Sequence, residues 1–133
     1  MLIKFSFKNF KSFRDENCLD MQATVLKEHE YNVANINGER YLKVAAIYGA
    51  NASGKSNVIK GIKACVNMIR TSHTYNENTT FQVAPFKFDR YDKKPSSFYV
   101  RFIVDGIEYE YSFSLTQAEI LTEQLYYYPK GRR

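Results

Sequence analysis

Residues Gly49-Ala50-Asn51-Ala52-Ser53-Gly54-Lys55-Ser56 fit the pattern G-x-x-x-x-G-K-[ST], and no other stretch restricts the chain as much. Gly49 and Gly54 are open to backbone angles closed to other residues, so successive N–H groups can turn inward as a cradle for an anion. Lys55 brings a positive charge to the β- and γ-phosphates of a nucleotide, and the Ser56 hydroxyl suits Mg²⁺. Asn57 follows directly and completes the expected nucleotide-binding set. A match of four fixed positions arises by chance in about one chain in 200 of this length, so the flanking sequence has to decide.

The flanks agree with the pattern. Val44-Ala45-Ala46-Ile47-Tyr48 is an apolar run without alternation, expected of a strand buried on both faces. Beyond Lys55, the apolar residues Val58, Ile59, Ile62, Cys65, Val66 and Ile69 recur at helical spacing, with Lys60, Lys63 and Asn67 between them. A helix starting at the loop would aim its free N–H groups and positive dipole end at the anion. Strand, loop and helix together predict a nucleotide site.

The remaining sequence predicts mostly β structure. Ile3, Phe5 and Phe7 alternate with Lys4, Ser6 and Lys8, and Leu19, Met21 and Ala23 alternate with Asp20 and Gln22, giving two antiparallel strands. Asn37-Gly38 reads as a hairpin turn within the polar stretch 27–43. Residues 74–80, TYNENTT, read as a polar loop. Phe98 to Val104 and Ile107 to Leu115 alternate on either side of Asp105-Gly106, with Glu108 and Glu110 expected on the outer face, and Leu121 to Tyr128 forms a last strand. Aromatic residues make up 16% of the chain, 11 Tyr and 10 Phe without Trp, a bias that suits strands.

The 133 residues make one domain. The formal charge of +5 permits an acidic partner without identifying one. Cys18 and Cys65 stand in dissimilar contexts, which points to a reducing compartment. No apolar run approaches the ~20 residues of a membrane span, and the charged opening MLIKFSFKNF is no signal peptide. A soluble, cytoplasmic protein without membrane partners is the expectation.

The opening LIKFSFKNFKSFRDENCLDM, followed by VAAIYGANASGKSNVIKGI, resembles the N-terminal half of an ABC-type ATPase head. It is similar to SMC-like and OLD-like DNA-maintenance ATPases and to the bacterial AAA-core group linked to abortive infection and phage defence. PSSFYVRFIVDGIEYEYSFSL and ILTEQLYYYPKGRR resemble the last group. The implied fold is α/β (α+β), a P-loop NTPase of ABC type represented by its N-terminal lobe, residues 1–133: a central strand, phosphate loop and helix with antiparallel strands. The implied cofactors are ATP and Mg²⁺. By the same resemblance, Asn51 would reach the γ-phosphate, Lys11, Ser12 and Arg14 would lie beside the adenine and α-phosphate, and Gln124 would be a coupling glutamine near the metal. Implied partners are a missing C-terminal lobe or facing protomer, as in an ATP-bridged homodimer, and an effector nuclease.

Other family features are absent from the sequence. There is no Ser- and Gly-rich signature segment, and no apolar strand ends in Asp-Glu. The chain ends at PKGRR directly after a strand, as expected of the N-terminal part of a longer ATPase. ATP binding without turnover is therefore the leading reading. A nucleic-acid-binding module with aromatic strands and a complete small phosphotransferase are the alternatives.

Overall fold

The computed structural model describes residues 1–25, 28–76 and 80–129. In chain order the elements are β1 (Leu2–Lys8), β2 (Asn17–Asp20), β3 (Val33–Ile36), β4 (Glu39–Leu42), α1 (Lys55–Thr71), β5 (Ser96–Val104), β6 (Ile107–Leu115) and β7 (Ile120–Tyr128). Five strands form one sheet in the order β2-β1-β5-β6-β7, and β3 pairs with β4 in a separate hairpin. Every pairing is antiparallel. The turns at Asn37-Gly38 and Asp105-Gly106 place both central residues at positive φ, as two-residue hairpins require.

The alternation in the strands decides where the core lies. Phe5, Phe7, Phe98, Val100, Tyr111, Phe113 and Leu115 collect on one face, where Cys65 and Met68 of α1 meet them. Rings stack across the strands, with Phe98 and Phe113 centroids 5.1 Å apart. Gly61 faces β1 at contact distance: a Cβ there would lie 3.5 Å from the Phe5 ring, an ordinary van der Waals contact. The helix therefore rests on the sheet through a small residue and a row of aromatics.

Ile3 departs from the alternation expected for it. A register shift between Leu2 and Lys4 moves Ile3 out of the Phe5 and Phe7 row, and it packs instead with Tyr41 and Ile103 in a second cluster. A bulge does this because one extra residue reverses which face the next side chain takes. Glu108 lies, as expected, on the sheet face opposite Tyr111 and Phe113, but there it is only 7% exposed and accepts a hydrogen bond from Arg101 Nε at 2.7 Å. The second strand is shorter than its pattern, ending at Asp20, although Met21 is buried.

The largest correction concerns residues 44–48. They form no strand and lie exposed, Val44 at 65% and Tyr48 at 89%. A strand is held by its ladder, and segment 44–48 pairs with none, while β1 has β2 and β5 on its two edges. In place of the expected central strand stands an antiparallel sheet with one helix packed on it. Helix α1 likewise buries Cys65 and Met68 but leaves Ile59, Val66 and Ile69 between 43% and 49% exposed. Of the polar loop expected at 74–80, residues 77–79 lie outside the described residues, as do residues 130–133 of the closing PKGRR. No helix among the described residues is long and apolar enough to cross a membrane.

Candidate nucleotide-binding loop

The chain from Gly49 to Gly54 wraps tightly into the start of α1. Ala52 has φ 64° and Gly54 φ 97°, two left-handed residues within three positions. Gly54 then caps the helix without a side-chain bond. Gly49 is not at positive φ; space is what it provides, since a Cβ there would lie 3.1 Å from Ser53 Oγ. Within the loop Ser53 N donates to Ala50 O at 3.3 Å, and Asn57 N donates to Gly54 O at 2.8 Å. The amides of Asn51, Ala52, Gly54 and Lys55 donate to no group among the described residues.

Lys55 lies back over this loop. Its Nζ donates to the carbonyls of Gly49 and Ala50, each at 2.7 Å. The ammonium is therefore held above the mouth of the loop by weak neutral acceptors, which an anion can outbid electrostatically. Ser56 is exposed on the first turn of α1 and Asn51 is exposed on the loop, neither with a side-chain hydrogen bond among the described residues. His, Cys, Asp and Glu are nowhere clustered to hold a metal among the described residues. What the loop offers a cation is the Ser56 hydroxyl.

The turn after β1 closes against the loop. Phe10 and Phe13 exchange backbone hydrogen bonds, Phe10 N to Phe13 O at 2.9 Å and Phe13 N to Phe10 O at 3.0 Å. A Cβ on Gly54 would stand 2.9 Å from Phe13 Cζ, so the Phe13 ring abuts the loop. Asn57 Nδ2 donates to Ser12 Oγ at 2.9 Å. Ser12 is thereby brought to the loop. Lys11 faces its own neighbour, with Nζ 5.5 Å from the Phe10 centroid and its amide bonded to Ala84 O at 2.7 Å. Arg14 is paired with Asp15 at 3.0 Å and Asp89 at 3.4 Å, and the Asp15 hydrogen bond and charge raise its pKa further. Gln124 sits in β7 opposite Ser112, in the row continued by Tyr99 and Ser6. That row is offset by one residue from Phe98 and Phe113, so Gln124 shares the sheet face away from α1.

Sequence reasoning missed Asn9. It is 1% exposed at φ 53°, and its Nδ2 donates to Tyr91 O at 2.9 Å, Lys94 O at 2.8 Å and Pro95 O at 3.2 Å. Its Oδ1 accepts from Phe86 N at 3.0 Å, and its carbonyl accepts from Ser96 Oγ. The residue ties segment 86–96 to the turn beside the loop. An Asn at a strand end is the one local signal for it, because Asn tolerates the left-handed region. Its distant partners carry no periodicity.

Residues 44–133 match a family described as "AAA domain, putative AbiEii toxin, Type IV TA system". The match begins at the exposed apolar segment and includes the loop, α1 and strands β5 to β7. No curated protein matches the chain.

Proposed function

Because the chain belongs to this AAA domain family, which matches it over more than half its length, we propose that it binds ATP through residues 49–56. Lys55 carries the reading: its ammonium already lies 2.7 Å from two loop carbonyls, where incoming phosphate oxygens would meet it together with the undonated amides. Ser56 would hold the Mg²⁺ that accompanies the triphosphate, and the metal would neutralise phosphate charge. Asn51, exposed on the same loop, is the candidate for sensing the γ-phosphate. Ser12 is the candidate nearest the loop from the β1–β2 turn. In the same reading, the chain serves as the nucleotide-binding part of an abortive-infection ATPase that pairs with a second copy around ATP.

Titration with a fluorescent ATP analogue and Mg²⁺ tests the core of this reading. Lys55→Ala should weaken binding at least tenfold, since a charge-assisted hydrogen bond contributes about 1.5–3 kcal/mol. Equal affinity of the variant and the unaltered chain would end the phosphate-loop reading.

A further inference from the structure

Resting on that reading, we propose that Asn57 is a positioning residue that acts through Ser12, turning the Ser12 hydroxyl into a donor toward the bound phosphates. The Asn57 amide donates through Nδ2 to Ser12 Oγ at 2.9 Å, so the serine oxygen is already an acceptor in this contact. A hydroxyl has one proton to give, and here it must leave along another direction. Helix and loop lie on one side of Ser12, since a Cβ on Gly54 would stand 3.1 Å from Ser12 Oγ. The hydroxyl is thus beside the loop's backbone, exposed, with its acceptor capacity partly used by Asn57.

The backbone keeps this geometry in place. The 10–13 turn is closed by its two reciprocal backbone bonds, and the Phe13 ring sits edge-on to Phe7 at 5.0 Å in the core. Ser12 therefore cannot swing away without unseating an aromatic contact. Asn57 is fixed in the first turn of α1, which begins at Lys55, with its backbone N donating to Gly54 O at 2.8 Å. The turn and the loop act as two jaws, and the Asn57–Ser12 hydrogen bond is the side-chain bond that joins them. Asn57 itself contacts protein rather than ligand in this arrangement.

A double-mutant cycle on the 133-residue chain reads this coupling with the fluorescent ATP analogue and Mg²⁺. Asn57→Ala and Ser12→Ala should each weaken binding by about tenfold to a hundredfold, the range of one hydrogen bond to a charged group. The double variant should be no weaker than Ser12→Ala, because Asn57 acts only through the hydroxyl that Ser12→Ala removes. Ser12→Thr, which keeps the hydroxyl, should restore affinity to within about twofold, a rescue that a purely structural role for the turn would not give. Thermal unfolding of each variant checks that the fold persists. Additive losses, full affinity in Asn57→Ala, or no rescue by threonine would overturn the inference while leaving the loop reading intact if Lys55→Ala still weakens binding at least tenfold. Loss of the Lys55 effect would overturn both.

Discussion

Asn9 shows how much one buried amide can hold. Asn9, itself 1% exposed, is the bonding partner of the Lys94 and Pro95 carbonyls and the Phe86 amide, and shares the Tyr91 carbonyl with Lys94 N, so Asn9→Ala would remove several part-buried hydrogen bonds at once. Unsatisfied buried groups cost about 1–3 kcal/mol each when no water replaces the partner, so a loss of about 3 kcal/mol is expected in urea unfolding. A midpoint unchanged from the parent would show that segment 86–96 is held by other contacts. Cys65 makes a separate prediction about pH. Burial pushes its thiol up from 9.0 to about 12. The folded state disfavours the thiolate, so its contribution is complete below about pH 9 and is lost as pH rises towards 12. Tyr99 is raised to about 12 and Tyr111 is also raised, both chiefly by burial, and they act in the same direction. Stability should hold from pH 6 to 8.5 and then fall, with Cys65 alone contributing up to ~1.4 kcal/mol per pH unit. Cys65→Ser should flatten the upper part of that curve in a chemical-denaturation series.

Among the elements, α1 and the β5–β6 hairpin were the most legible in the sequence. The glycine-rich motif gave α1 its start and the helical spacing from Val58 to Ile69 its course, and Asp105-Gly106 fixed the hairpin because both positions need positive φ. The segment 44–48 was misread for a physical reason. Apolar composition signals burial, but a strand exists only when another backbone completes its ladder, and that partner is not encoded locally. Ile3 was misplaced because a bulge is a register event between strands far apart in sequence. At the site, the loop itself was legible from its glycines and lysine, whereas Asn9 and the Asn57–Ser12 bond depend on contacts across the fold. Strand β7 carries the prediction that belongs to this scale. It forms a sheet edge with Leu125 62% and Tyr127 63% exposed on the face shared with α1. Long apolar edges pair with other chains, and lysine blunts them. Size-exclusion chromatography at several concentrations should show self-association that Leu125→Lys with Tyr127→Lys reduces. A monodisperse monomer at every concentration in the parent chain would show that this edge is protected in solution.

For the whole molecule, the loop and the rest of the chain make different demands. Hydrolysis needs a group that orients water and charge that stabilises the transferring phosphoryl, and no apolar strand in this sequence ends in paired carboxylates. The isolated chain should therefore bind ATP while releasing phosphate no faster than background. Steady phosphate release that disappears in Lys55→Ala would restore the small-phosphotransferase alternative. The order of strands in the sheet also bears on how the molecule is made. β1 lies between β2 and β5, and Phe7 pairs with Phe98. On a ribosome adding about 5–20 residues per second, roughly ninety residues separate the two strands, so the inner edge of β1 waits some 5–20 s for its neighbour. During that interval the loop at 49–54 and α1 are synthesised before most of the sheet on which the helix rests. Slowing translation across residues 44–95 should lengthen the exposure of Phe5 and Phe7 and raise the demand for a chaperone during synthesis.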